Sequence, residues 1–335
     1  MKKLISIVTP VYCEEECISL FHEELTNVME SLEQYDFEII YVVDKSKDNT
    51  LGILIGIADR DARVTVIGLS RRFGHQMSLV AGMDRCAGDA CIMMDSDLEH
   101  PPAFIPFLLE KFEEGFDVVH TKREYARKTG VFKASSSKLF YRFLNRLSEE
   151  DLGEDSADFR LVSRKVVEVF NRKVREHNQY LRGLFRWVGF HQTEVSFVSG
   201  TRQAGKSKYG IGKLLKLGMD GVVSFSKAPL KASIVFGIVV ALIGVGYGVY
   251  NIIQYFVDTS LPEGWTTLVI LVLLIGGLIL FILGIIGLYI SAIFDEVKNR
   301  PLYIIECLYG QSTGQNEGDF LMGRREEQNE DHVQG

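Results

Sequence analysis

The chain has 335 residues, 47% of them hydrophobic, and 37 Lys and Arg against 44 Asp and Glu give a formal net charge of −7. That length leaves room for two domains, and the acidic balance, with no basic stripe interleaved with aromatics, argues against a nucleic-acid partner. Cys13, Cys17, Cys86, Cys91 and Cys307 are odd in number and lack CxxC spacing, which points to reduced thiols and not to a disulfide scaffold or zinc site.

The apolar run after Lys3 is too short for a signal peptide and closes at Thr9-Pro10. Residues 4–9 are therefore predicted as a first strand, with Pro10-Val11-Tyr12 turning out of it. Ile18, Phe21, Leu25, Val28 and Leu32 then recur at helical spacing. Strands are predicted over 37–43, ending at Asp44, and over 64–69, with a helix over 49–61 capped at Asp48 or Asn49. A loop over 70–76 leads into a helix through Cys86. A fourth strand, 90–94, runs into Asp95-Ser96-Asp97-Leu98-Glu99-His100 and is stopped by Pro101-Pro102. This alternation predicts an α/β fold with a mainly parallel sheet wound on both faces. No GxGxxG follows the first strand, so a dinucleotide-binding fingerprint is missing.

The fourth strand organises the rest. A buried parallel strand delivers Asp95 and Asp97 to its carboxyl end, where open α/β sheets bind ligands. At i and i+2 of a strand the two carboxylates share a face and can approach one hard cation, Mg²⁺ or Mn²⁺, bridging a diphosphate. An acidic turn capping the helix at Pro102 is the plain alternative. Asp44 reaches the same edge, either to accept bonds from a base or ribose or to cap a helix.

From Val118 the chain turns basic, with Lys122, Arg123, Arg127, Lys128, Lys133 and Lys138 ahead of an amphipathic helix over 139–147. These cations form either a solvated face, an anion site beside the acidic cluster, or a contact with anionic headgroups. A polar-then-helical unit over 154–171 carries Asp155, Asp158 and Arg160, and a short strand over 192–198 follows. In the stretch 201–209, Arg202, Ser207, Lys208 and Tyr209 can clamp phosphates or form a basic surface loop. Residues 210–230 hold an amphipathic helix, interfacial or simply packed on the fold.

Stretches 232–257 and 266–294 carry no charge, and each exceeds the ~20 residues that cross a bilayer. Their glycines permit close helix contact, within the chain or in a homo-oligomer. Lys227 and Lys231 before the first and Lys298 and Arg300 after the second place both ends in the cytosol, with the acidic loop outside. The expected layout is a catalytic domain over 1–209, the amphipathic helix, a membrane hairpin over 231–295, and a cytosolic tail over 296–335, disordered from about 311.

Seven motifs carry a resemblance. They are Thr9-Pro10-Val11-Tyr12 with Glu14-Glu15; Asp44 with Asp48-Asn49-Thr50; Ser70-Arg71 with Phe73-Gly74-His75-Gln76; Asp95-Ser96-Asp97-Leu98 with Pro101-Pro102; Asp158-Phe159-Arg160-Leu161; Arg202 with Ala204-Gly205-Lys206-Ser207-Lys208-Tyr209; and Asp295-Glu296-Val297-Lys298 with Arg300-Pro301-Leu302-Tyr303. In this order the chain resembles the polyprenyl-phosphate glycosyltransferases, inverting family-2 enzymes of GT-A fold that include dolichyl-phosphate mannose synthases. The bactoprenol glucosyltransferase branch, with two C-terminal membrane helices, is the nearest in pattern.

The resemblance implies transfer of one sugar from a nucleotide sugar, UDP-linked, to a polyprenyl phosphate such as undecaprenyl phosphate, by an integral protein of a bacterial-type inner membrane. Pro10, Tyr12, Glu14 and Asp44 would cradle the nucleoside, and Asp95 and Asp97 the metal diphosphate. Arg202, Ser207 and Lys208 would close over that diphosphate, while Arg123 and Lys133 would grip the lipid phosphate. Asp158 takes the family's acidic position near the acceptor, as a base or as a positioning group. Cys13, Lys45 and Ala157 depart from the usual Asn, Gly and Gly, which leaves the reaction class intact and the sugar open. A processive polysaccharide synthase is the rival enzyme, but Gly183-Leu184-Phe185-Arg186-Trp187 lacks the Gln of Q-x-x-R-W. A non-catalytic membrane-anchored nucleotide-sugar-binding protein is the rival of another class.

Overall fold

The computed structural model describes residues 2–124, 156–177, 179–198, 228–257 and 264–310. Lys133, Arg202, Ser207 and Lys208, the amphipathic stretches 139–147 and 210–227, the loop between the apolar stretches and the tail from 311 lie outside the described residues.

Eight strands form one mixed sheet in the order β7-β5-β6-β4-β1-β2-β3-β8. In chain order they are β1 (Lys3–Val11), β2 (Tyr35–Val43), β3 (Val64–Leu69), β4 (Ala90–Met93), β5 (Val118–Glu124), β6 (Ser156–Ser163), β7 (Gln192–Val198) and β8 (Ile305–Tyr309). Four neighbouring pairs run parallel and three antiparallel, the latter all involving β6 or β8. Between the strands lie α1 (Ile18–Glu30), α2 (Thr50–Ala58), α3 (His75–Met83), α4 (Ile105–Glu113), α5 (Arg164–Arg172) and α6 (Leu181–Trp187).

Apolar spacing explains how the layers close. Ile18, Phe21, Leu25 and Met29 recur every three or four residues and are the buried side of α1, packed with Ile5, Ile7, Ile39 and Tyr41 of the sheet. On the opposite face α3 crosses β1 and β2 closely enough that a Cβ at Gly82 would collide with Val8 and crowd Val42. That close approach fixes where the first residue of α3, His75, meets the carboxyl edge of the sheet.

Several expectations need correction. β1 runs on through Pro10 to Val11 instead of turning there. The ladder alternates partners, and the missing N–H of Pro10 falls on the β4 side, where pairing stops at Val8 with Met93, so no hydrogen bond is lost. β4 ends at Met93, so Asp95 and Asp97 lie in the turn beyond it, and the strand alternation that was to put them on one face does not apply. The first part of the basic stretch, Val118–Glu124, is strand β5, and the polar lead-in at Ser156 is strand β6. Residues 300–310, expected as tail, rejoin the sheet: β8 pairs antiparallel with β3, and Leu302, Tyr303 and Ile305 are buried.

His120 shows what burial in this sheet does to a titrating group. On β5 it lies between Glu194 of β7 and Arg160 of β6, and its Nε2–H donates to Gln192 Oε1 at 2.9 Å. Its buried Nδ1 has no hydrogen-bond partner among the described residues. Burial, then the Arg160 charge, pulls its pKa from 6.5 down to about 3. Above 6.5 folded and unfolded chains both carry the neutral ring. Below it only the unfolded chain takes up the proton, so stability falls with pH towards that lower value, by up to ~1.4 kcal/mol per pH unit from this residue. His120→Gln is expected to flatten that loss in thermal melts compared at neutral and mildly acidic pH.

The chain divides into two compact units. One holds the sheet and its helices. The other holds two long helices, α7 (Ala228–Val257) and α8 (Trp265–Val297). Within α8, Leu274–Val297 is 24 residues of mean hydropathy 2.6, long and apolar enough to cross a membrane and not buried in protein. Within α7 the corresponding stretch among the described residues is shorter, Ser233–Tyr247. Of the two expected spans, one therefore meets that criterion of length and apolarity.

Candidate active site

The carboxyl ends of β1, β2 and β4, with the start of α3, gather the polar residues. Asp44, buried at the end of β2, accepts the Phe73 N–H on Oδ1 and the Gly74 N–H on Oδ2, both at 2.9 Å. It thereby pins the entry to α3, where Gly74 takes a φ of 98° that side chains avoid. Of the alternatives for Asp44, the helix-end role is therefore seen, at the start of α3. Each of its oxygens keeps a second lone pair for a ligand.

Beside it, Tyr12 is half-buried and the Arg72 guanidinium stacks on its ring at 4.0 Å. The Glu14 N–H donates to Thr50 Oγ1 at 3.0 Å, and Glu14 Oε2 accepts the Cys17 thiol at 2.9 Å. Burial, then Glu14, pushes that thiol up to about 12, so it stays protonated as a donor. The same sulfur lies 3.7 Å from the Ser96 carbonyl, which joins the Glu14 loop to the acidic turn.

The turn after β4 is held by two imidazoles. His100 Nδ1 accepts the Asp95 N–H at 2.9 Å, and its ring stacks on Phe159. His75 Nε2 lies 2.6 Å from Asp95 Oδ1. Burial alone would lower the His75 pKa, but the Asp95 carboxylate outweighs it and lifts the ring to about 9. Burial likewise opposes ionisation of Asp95, yet the two imidazoles, both charged in the acid where it would titrate, hold it well below the usual carboxylate range. His100, by contrast, is pulled down to about 4, first by burial, and is neutral. Asp97 Oδ1 accepts the Glu99 N–H at 3.1 Å, and Leu98 between them has a φ of 63°.

Two further elements close on this turn. From β5, Arg123 donates to Glu99 Oε2 at 2.7 Å, and its second Nη lies 3.0 Å from His100 Nε2. From β6, buried Asp158 is gripped by Arg182 through Nε to Oδ1 at 2.9 Å and Nη2 to Oδ2 at 2.8 Å, and by Arg160 at 3.2 Å. Burial pushes Asp158 up, but Arg182 and the other cations leave it far below the usual range.

The structure thus brings Asp95, Asp97, Arg123 and Asp158 to one locus, and Pro10, Tyr12, Glu14 and Asp44 to the adjoining strand ends. His75, His100, Arg160 and Arg182 were not singled out as site residues. One signal pointed to Arg160: it stands two residues from Asp158 on the same face of a strand, where a buried carboxylate needs a cation.

Among the described residues no three His, Cys, Asp or Glu side chains gather as a metal cage. The donor set still fits Mg²⁺ or Mn²⁺ bound with a diphosphate, because such ions keep waters and take one or two carboxylates plus phosphate oxygens. Asp95 and Asp97 are both half-buried and supply hard oxygen donors from a single turn.

Comparison with known proteins bears on the family of the chain. Residues 6–170 match the family described as Glycosyl transferase family 2. The chain is 42% identical over 308 residues to the uncharacterized glycosyltransferase YkcC of Bacillus subtilis (strain 168), covering 91% of this chain and 94% of that one. It is 38% identical over 302 residues to the SfII prophage-derived bactoprenol glucosyl transferase of Shigella flexneri, covering 90% and 97%. Among solved structures, the glucosyl-3-phosphoglycerate synthase of Mycobacterium tuberculosis in complex with Mn²⁺, uridine diphosphate and glucosyl-3-phosphoglycerate is 19% identical, with a TM-score of 0.43 over 66% of this chain and 78% of that one. A likeness this distant bears on neither substrate nor metal. The mostly parallel mixed sheet is the GT-A architecture of the matched family. The chain belongs to glycosyl transferase family 2 and is a glycosyltransferase.

Proposed function

We propose that this glycosyltransferase moves a single sugar from a UDP-sugar to a polyprenyl phosphate such as undecaprenyl phosphate, with inversion, at the cytosolic face of a membrane. The observation that carries the reading is the seating of Arg123, a cation, on the same turn as Asp95 and Asp97. A diphosphate leaving group and a phosphate nucleophile both need positive charge at one locus. Likeness over nine-tenths of the chain to proteins named bactoprenol glucosyl transferase supports the lipid acceptor.

Pro10, Tyr12, Glu14 and Asp44 would hold the nucleoside at the ends of β1 and β2. Asp95 and Asp97 would hold Mg²⁺ or Mn²⁺ with the diphosphate, and the chemistry supplied there is neutralisation of charge on the departing nucleotide. Arg202, Ser207 and Lys208 would close over the diphosphate. Arg123 and Lys133 would orient the lipid phosphate for in-line attack on the anomeric carbon. A phosphate monoester, with its second pKa near ~6, is largely ionised at neutral pH and needs no strong base. An anchor of two spans, 232–257 and 266–294, with both chain ends cytosolic and an interfacial helix over 210–230, would hold the enzyme on the membrane. Association of copies through the glycine-rich spans is part of this reading.

The test is transfer of radiolabel from a panel of nucleotide sugars to undecaprenyl phosphate by the full-length protein. A lipid carrying one sugar is expected, and Arg123→Ala is expected to raise the lipid KM about tenfold or more. Label in a polymer, or no label in lipid with any donor, would overturn the reading.

A further inference from the structure

Asp95 stands just past the last sheet bond of its strand. The Met94 N–H still donates to the Val8 carbonyl at 3.1 Å, but no ladder sets the direction of the residue that follows. A carboxylate placed there turns freely unless a neighbour holds it, and a cation that takes only one or two protein oxygens needs each of them aimed in advance. Asp95 is held twice. Its N–H donates to His100 Nδ1 at 2.9 Å, and its Oδ1 meets His75 Nε2 at 2.6 Å. An ionised carboxylate only accepts, so Nε2 carries the hydrogen of that bond whichever charge the ring has.

The second oxygen is left open. His100 Nδ1 lies 3.5 Å from Oδ2, but that nitrogen already accepts the Asp95 N–H and has no hydrogen to give. Among the described residues Oδ2 therefore accepts no hydrogen bond, although the residue is half-buried.

His75 is itself fixed from the other end of the site. It is the first residue of α3, and the two N–H groups just before it, those of Phe73 and Gly74, are the ones that Asp44 accepts at 2.9 Å. Behind the ring, Gln76 Nε2 lies 3.4 Å from Nδ1, and Gln76 Oε1 accepts the Leu181 N–H at 3.2 Å. Residues 73–75 thus bond to Asp44 through the backbone and to Asp95 through a side chain.

We propose that His75 is a positioning residue for Asp95, its Nε2–H holding Oδ1 so that Oδ2 is the oxygen presented to the divalent cation of the nucleotide diphosphate. The inference rests on the reading above that Asp95 and Asp97 hold that cation. Residues 73–75 then keep the nucleoside ligand Asp44 and the metal ligand Asp95 at one spacing.

Equilibrium dialysis of radiolabelled UDP against the full-length protein in detergent tests this without turnover, once with Mn²⁺ and once with EDTA. The ratio of the two affinities is the gain due to metal. Two amides separate reach from polarity: His75→Gln can place an N–H where Nε2 stands, and His75→Asn stops short of it. His75→Asn is expected to cut the gain by about 10- to 100-fold, the scale of losing an outer partner of a metal ligand, with EDTA affinity kept within about twofold. His75→Gln is expected to hold the gain within about threefold of wild type. If His75→Asn melts early, His75→Ala, with the best helix former, takes its place in the comparison.

The proposal is overturned if the short side chain leaves the gain within about twofold of wild type, or if His75→Gln loses as much as His75→Asn. Equal losses in Mn²⁺ and in EDTA also overturn it, because His75 would then serve the fold and not the cation. Wild-type protein that binds UDP equally in Mn²⁺ and in EDTA is a different failure: it sinks the metal reading of the turn before any variant is compared.

Discussion

Asp97→Ala is expected to lower sugar transfer by at least about a thousandfold, the scale of losing one preorganised electrostatic partner of the developing charge. The reason is local. β4 stops at Met93, and the turn that follows is set by His100 on the Asp95 N–H, by the Asp97 bond to the Glu99 N–H and by the positive φ of Leu98. Asp95 is already engaged by His75 at 2.6 Å, so removal of Asp97 takes away one of the two carboxylates proposed to hold the diphosphate-bound cation. Calorimetry with UDP should show manganese-dependent affinity in the wild type and none in the variant. An Asp97→Ala protein that still transfers sugar at a tenth of the normal rate or better would remove the turn from the chemistry.

Asp84→Ala is expected to cost about 3–5 kcal/mol of stability, the loss seen when one partner of a buried ion pair is deleted. Asp84 follows α3 and accepts from Arg175 at 2.7 and 2.9 Å and from the Tyr303 hydroxyl at 2.6 Å. Burial, then Asp84, pushes that hydroxyl well above its usual pKa, so it remains a donor. Without Asp84, the guanidinium and phenol lose the carboxylate that they share. Glu113→Ala is the control, because its pairing with Lys3 is nearly half exposed and such pairs contribute roughly 0–1 kcal/mol. Thermal melts should show a drop of roughly 10 °C for Asp84→Ala and little for Glu113→Ala. Equal melting of the two would mean that the three-way contact does not hold the fold together.

How far the architecture could be read from sequence depended on where apolar residues cluster. β3 and β7 match their expected residues, because each is a run of alternating or continuous apolar residues between polar turns. β5 was hidden because His120, Lys122 and Arg123 make its second half polar, although the strand lies between β6 and β7. β8 was hidden because Glu306 and Cys307 interrupt an edge strand of five residues. In the candidate site, Asp44, Asp95, Asp97 and Asp158 could be nominated because they end apolar runs or fall in ordered motifs, and Arg123 because it stands in a basic stretch. Arg182 and His100 could not, since their importance comes from partners 24 and 23 residues away that only the sheet order brings close.

The return of residues 300–310 to the sheet has a consequence for biosynthesis. β8 is translated last, after the apolar helix α8, so the ribosome must finish the greasy segment before the far border of the sheet is covered. Until then β3 displays a row of unsatisfied amides and carbonyls, the kind of border on which nascent chains stick to one another. A chain cut near Lys227 would be left in that state permanently. A soluble version is better made by joining residue 198 to residue 300 through a linker, so that the border is sealed without the greasy segment.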